Sequence, residues 1–202
     1  MMISSTPAAG PKLPPRKVFI VPGYRANPSS HWFPWLSEEL NARGIDVTTV
    51  AFPAPDSPAA PAWNQTLVTT IPHVDPSTWI VAHSLGVVTA LRRLADLAEP
   101  WSLGGLITVS GFTGMLDALP TLDAFLSEDL DLTTVTPRIL QSHAVYSDND
   151  ALVPPGASAA LATRLEAKVH VIHGGGHFLE TDGFTTFPAV AALLATERPA
   201  RP

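Results

Sequence analysis

The sequence predicts an α/β domain: a parallel sheet of six strands with helices on both faces. Three observations carry that expectation. Short apolar runs rich in Val and Ile alternate with stretches of helical period along the whole chain. Most of those runs are apolar enough to be buried on both faces, as parallel strands are. No self-similarity recurs at the repeat periods of roughly 20–50 residues that mark solenoids and propellers.

The elements follow in order. Val18–Val21 is a buried strand that stops at Pro22-Gly23. Ser30 is placed to cap a helix whose apolar positions are Trp32, Trp35, Leu36 and Leu40, with Pro34 in its first turn and Gly44 at its end. Asp46–Phe52 is a second strand, halted by Pro53 and Pro55, and Ala62–Val74 is a weaker helix. Thr78–Ala82 runs almost without spacer into a helix carrying Val87, Val88, Leu91, Leu94, Ala95 and Ala98. Gly105–Ser110 is the fourth strand, and Arg138–Tyr146 contains the fifth. A helix over Ala157–Ala167, a strand over Lys168–His173 and a closing helix over Phe187–Thr196 complete the domain.

The chain of 202 residues suits one domain, expected over 17–197, with a Pro/Ala-rich disordered leader over 1–16 and a tail over 198–202. With 12 Lys+Arg against 18 Asp+Glu, the formal net charge is −6, and no basic cluster offers the footprint of a nucleic-acid binder. No apolar run is long enough to span a membrane, and the first residues lack the apolar segment of a secretory signal. Zero cysteines exclude a disulfide framework, thiolate zinc sites and a cysteine nucleophile. They fit a reducing compartment, so a cytoplasmic location is expected, for a monomer or weak homodimer.

Right-handed crossovers bring the C-terminal ends of parallel strands to one edge, where ligands of such sheets bind. The segments after the strands are Pro22-Gly-Tyr-Arg25, Ala54-Pro-Asp-Ser57, His83-Ser-Leu-Gly86, Gly111-Phe-Thr-Gly114, Ser147-Asp-Asn-Asp150 and Gly174-Gly-Gly-His177. A serine, aspartates and a histidine therefore collect on one rim.

Ser84 stands between a strand and a helix with no linker. Such a turn stores about 1–3 kcal/mol of backbone strain. Small residues two positions to either side, here Ala82 and Gly86, let strand and helix approach. The pattern is a nucleophile elbow with its first glycine replaced by alanine. Ser158 lies in a looser match, GASAA, but inside a predicted helix.

An activated serine needs a base, and the base needs an orienting carboxylate. Of the seven histidines, His177 follows three glycines that can deliver its ring over the rim. His170 and His173 read instead as buried strand histidines on opposite faces, not as metal ligands. For the acid, Asp148 and Asp150 are both available. Asp148 is suited to an Asx-type turn, while Asp150 stands before Ala-Leu-Val and is favoured. The oxyanion donors expected are the N–H groups of Leu85 and Tyr24.

Four segments carry a resemblance to a known family: Val21-Pro-Gly-Tyr24 with His31-Trp32-x-x-Trp35-Leu36; Ala82-His-Ser-Leu-Gly86; Ser147-Asp-Asn-Asp-Ala-Leu-Val-Pro154; and Gly175-Gly-His-Phe-Leu-Glu180 through Gly183-Phe-Thr185. The chain resembles the small YdeN-like serine hydrolases of the α/β-hydrolase superfamily, a group that includes the retinoblastoma-binding protein nine family. The resemblance implies a minimal α/β-hydrolase fold without the opening antiparallel hairpin, and the catalytic set Ser84, Asp150 and His177. Ala82 in place of glycine and Arg25 after Tyr24 depart from the family pattern.

The expected activity is hydrolysis of small esters by acyl transfer through Ser84, with no metal or organic cofactor. A peptidase or amidase on the same residues, or a non-catalytic binding protein on this scaffold, are the alternatives. The 25 residues between Phe112 and Arg138 hold a short helix, such as Thr121–Leu130, but no separate cap domain, so a fairly open site is expected. Trp32, Phe112, Leu152 and Phe178 are candidate apolar walls, and Arg25 and His83 candidate polar contacts to substrate.

Overall fold

The computed structural model describes residues 14–127 and 130–195. Residues 1–13 of the expected leader and the tail from Thr196 onward lie outside the described residues, as do Glu128 and Asp129. Six parallel strands form one sheet: β1 (Lys17–Val21), β2 (Asp46–Thr49), β3 (Thr78–His83), β4 (Gly105–Val109), β5 (Ser142–Ser147) and β6 (Lys168–Ile172). Their order is β2-β1-β3-β4-β5-β6.

That order places a topological switch between β1 and β3, because the chain leaves β1 toward β2 and then returns to build the other side. The register Val21↔Ala82, His83↔Val109, Val109↔Val145 and Ser147↔Ile172 aligns the C-terminal ends at one rim. A parallel sheet offers its ligand crevice at such a switch.

Among the described residues the helices are α1 (Phe33–Asn41), α2 (Ala60–Thr70), α3 (Leu85–Ala95), α4 (Asp123–Leu126), α5 (Pro155–Arg164) and α6 (Pro188–Leu193). One apolar layer joins Val18, Ile20, Val81, Ile107 and Val145 of the sheet to Leu36 and Leu40 of α1 and Val190 of α6. The opposite layer joins Phe19, Ile80 and Leu106 to Trp63 and Leu67 of α2, Leu91 of α3 and Leu161 of α5. β3 is buried at every residue, which explains why its sequence shows no alternation.

Several boundaries differ from expectation. β2 ends at Thr49 rather than Phe52, since only one neighbour, β1, holds this edge strand. The segment 138–141 is not strand: a 3₁₀ turn over Thr136–Arg138 and a single bridge from Ile139 to Leu103 precede β5. Ser30 does not cap α1. Its hydroxyl instead accepts the Asn27 N–H, and α1 starts at Phe33 with Pro34 in its first turn. The excursion between β4 and β5 holds a 3₁₀ turn over Pro120–Leu122 and the one-turn α4, shorter than the expected helix. Among the described residues no helix is long and apolar enough to cross a membrane.

Candidate active site

β3 delivers Ser84 directly into α3. The serine takes φ 53° and ψ −124°, a conformation that L-residues with a Cβ rarely adopt. The turn is possible because the elbow packs against the end of β1 with no room to spare. A β-carbon at Gly86 would sit 2.4 Å from the carbonyl oxygens of Val21 and Pro22, and one at Gly23 would sit 2.8 Å from Ser84 Cβ. Ala82 is buried in the α2/α3 layer, so its extra methyl is absorbed by core.

His177 reaches this turn from the far side of the sheet. The loop carrying it has no strand or helix to satisfy its backbone, and side chains do that work. Asp148 Oδ1 accepts the Gly174 N–H, Ser147 Oγ that of Gly175, Asn149 Oδ1 that of Gly176 and Asp182 Oδ2 that of His177. Gly174 and Gly176 have φ of 71° and 56°, the left-handed turns that the glycine run was expected to supply.

The result is a hydrogen-bonded chain of hydroxyl, imidazole and carboxylate. Ser84 Oγ lies 2.9 Å from His177 Nε2, and His177 Nδ1 lies 2.8 Å from Asp150 Oδ2. Asp150 is fully provided with donors. Its Oδ1 accepts the N–H groups of Leu152 and Val153, and its Oδ2 also accepts the hydroxyl of Ser110 at 2.8 Å. Burial pushes this carboxyl up, but the His177 bond and charge, with the Val153 and Ser110 donors, outweigh it and hold the pKa below the ordinary value. A carboxylate at Asp150 accepts a hydrogen bond from His177 Nδ1–H, and Nε2 is the nitrogen that faces the Ser84 hydroxyl.

Ser110 was not among the expected residues. It follows the last residue of β4 at φ 45°, wholly buried, and no local pattern marks it. Replacing it by alanine removes one donor from a buried carboxylate, an expected cost of about 1.5–3 kcal/mol. Asp150 contributes stability above its unfolded pKa that is lost as pH falls through the depressed folded value. Loss of the Ser110 donor raises that folded value, so acid unfolding of Ser110→Ala should begin at higher pH. Thermal melts from about pH 7 to pH 3, spanning the ordinary Asp range, check this. An unchanged acid transition would contradict it.

Asp148 has a different task. It pairs with His173 Nδ1 at 2.7 Å and accepts the Gly174 N–H, an exposed clamp at the base of the histidine loop. His173 accordingly lies outside β6 and is exposed, contrary to the buried strand histidine expected, because β6 is an edge strand that ends at Ile172. His170 is half-buried, and its Nε2 shares a hydrogen bond of 3.0 Å with His143 Nδ1 across β5 and β6. Among the described residues no group of three metal-ligating side chains assembles.

The loop after β1 lies against the elbow that carries Ser84. Leu85 N–H opens α3, and Tyr24 N–H follows Gly23, whose added β-carbon would be 3.4 Å from Leu85 N. Among the described residues neither N–H meets a hydrogen-bond acceptor. Arg25, at φ 60°, is pinned by its own N–H to Pro55 O, while its exposed guanidinium covers the Tyr24 ring and lies 3.6 Å from Asp56.

Four expected substrate contacts are corrected. Trp32, Phe112 and Phe178 are wholly buried in the two apolar layers and line no surface. His83 is also buried and turns away from the rim, bonding through Nε2 to the carbonyl of His177. Nor do Ser84 and His177 stand on open surface, as a fairly open site would have them: they are 4% and 6% exposed.

Comparison with known proteins bears on the family and the fold. The serine hydrolase family profile matches residues 18–196. YdeN of Bacillus subtilis (strain 168) is 36% identical over 181 residues, 90% of this chain and 95% of that one. The serine hydrolase RBBP9 of Rattus norvegicus is 27% identical over 187 residues, 89% and 96% of the two chains. The crystal structure of the B. subtilis ydeN product superposes with a TM-score of 0.86 at 37% identity, covering 89% of this chain and 96% of that chain. A hydrolase of the alpha/beta superfamily from Xanthomonas campestris shares the fold at a TM-score of 0.60 and 17% identity, over 90% and 98% of the chains. The family match takes in all six strands and every loop that meets at the rim, so this chain, with its α/β-hydrolase fold, belongs to the serine hydrolase family.

Proposed function

We propose that the protein hydrolyses small carboxylic esters through a covalent acyl-serine intermediate, with Ser84 as nucleophile, His177 as base and Asp150 as orienting acid. The observation that carries this reading is the continuous chain from Ser84 Oγ to His177 Nε2 at 2.9 Å and from His177 Nδ1 to Asp150 at 2.8 Å. Ser84 Oγ attacks the ester carbonyl carbon as its proton passes to His177 Nε2. The carbonyl oxygen takes up the electron pair and is held by the Leu85 and Tyr24 N–H groups. Collapse expels the alkoxide, which leaves as alcohol with the proton from His177. Water then adds to the acyl-serine with His177 again as base, and the acid is released as Ser84 regains its proton.

Two features favour short acyl groups. The aromatic residues that would build a long apolar slot are spent in the core, and Ser84 and His177 are themselves almost wholly buried. No metal or organic cofactor enters any step. A series of p-nitrophenyl esters against aminoacyl p-nitroanilides tests the reading. Acetate and butyrate esters should turn over at least about tenfold faster than long-chain esters, a difference of about 1.4 kcal/mol in the barrier. Faster anilide than ester turnover would move the assignment to an amidase. No turnover, together with no fluorophosphonate labelling of Ser84, would leave a non-catalytic binding protein.

A further inference from the structure

His83 precedes the nucleophile and is enclosed on every side. Its ring meets His31, Trp32 and Phe33 edge-on at centroid distances of 5.9, 6.0 and 5.9 Å, and lies tilted against the His177 ring at 4.9 Å. Its Nε2 is 2.9 Å from the main-chain carbonyl oxygen of His177. That oxygen has no proton to give, so Nε2 carries the hydrogen and donates. Nδ1 is then unprotonated, and it is buried with no partner among the described residues. An orphaned buried nitrogen costs stability, and an apolar residue here would avoid that cost.

Resting on the Ser84–His177 pairing proposed above, we infer that His83 is a positioning residue for the reaction, fixing the base through the His177 carbonyl. The loop geometry explains the need. The N–H groups of residues 174–177 are all held by side chains of Ser147, Asp148, Asn149 and Asp182, but the carbonyl of His177 faces the end of β3. Asp150 fixes the imidazole at Nδ1, and His83 fixes the main chain that carries it. Because His83 and Ser84 are consecutive, one rigid strand end sets both the nucleophile and the anchor of its base. Burial, followed by the neighbouring His177, holds the His83 pKa well below its ordinary value, which keeps the donor ring uncharged.

Two variants and one measurement on the unaltered protein test this. His83→Phe keeps the aromatic packing and removes the donor; His83→Gln returns an N–H at similar reach. The phenylalanine variant should lose about 10–100-fold in kcat with KM within about twofold, since small misplacement of a reacting group costs rates of that order. The glutamine variant should recover most of that loss. The proton resonance of the His177–Asp150 hydrogen bond should shift in the phenylalanine variant alone. Wild-type kcat in a folded His83→Phe protein overturns the inference, as does equal loss in both variants. Imidazole ¹⁵N shifts of the wild type decide it independently of variant folding: His83 must be protonated at Nε2 only, and the Nδ1–H tautomer overturns it. Fluorophosphonate labelling separates the two proposals. An unlabelled wild type overturns both; equal labelling rates of wild type and His83→Phe overturn this one alone.

Discussion

Ser84→Ala is expected to abolish ester turnover, with a fall in kcat on the order of 10⁴-fold or more. Alanine leaves the imidazole, the carboxylate and the two N–H donors where they are and removes only the atom that forms the acyl bond. The reaction that remains is attack by water beside the proposed oxyanion donors, so a residual rate above the uncatalysed one should persist. A second variant separates chemistry from strain. Ser84 holds φ 53° at some conformational cost. Ser84→Gly should be as inactive as the alanine variant yet hold the turn without that strain. Steady-state kinetics on p-nitrophenyl acetate and thermal melts of all three proteins check this. Wild-type rates in Ser84→Ala would place the nucleophile elsewhere.

Gly86→Ala should be the most damaging single-methyl change in the elbow. The new β-carbon would meet two carbonyl oxygens, those of Val21 and Pro22, at 2.4 Å. Val21 ends β1, which is paired to β2 on one side and β3 on the other, and Pro22 follows it directly, so the two carbonyls cannot retreat without dragging the strand end. Overpacking against such immovable backbone is expected to cost about 3 kcal/mol or more. In a chain of this size that lowers Tm by roughly 6–12 °C. Activity should fall as well, because α3 moved outward carries the Leu85 N–H away from the Tyr24 N–H. A melting temperature within about 2 °C of wild type would contradict the close approach.

The same physics explains how much could be read in advance. Alternation of apolar strands with helices is a local signal, and it predicted six parallel strands and the rim on which Ser84, Asp150 and His177 meet. The elbow was legible because a strand running straight into a helix leaves the serine one conformation, and Gly86 announces the contact. Asp150 against Asp148 was harder, since both carboxylates lie one turn from the same strand end. Only the fold shows that Asp148 clamps Gly174 and His173 while Asp150 faces the His177 ring.

Other residues carried no local mark. Ser110 and Asp182 are single polar residues without a spacing pattern, yet one donates to Asp150 and the other holds the His177 N–H. Trp32, Phe112 and Phe178 suited core more than pocket, yet an aromatic side chain serves both, and their full burial was settled by packing. His83 turned inward rather than toward substrate for the same kind of reason: β3 ends between α1 and the histidine loop, and its last side chain must enter that layer. What the chain by itself determined was the order of elements and the rim on which Ser84, Asp150 and His177 lie, because hydrophobic period and turn chemistry act between near neighbours. What the tertiary structure alone decided was the partner of each polar group, because hydrogen bonds such as Ser110 to Asp150 and His83 to His177 join residues 40 and 94 positions apart.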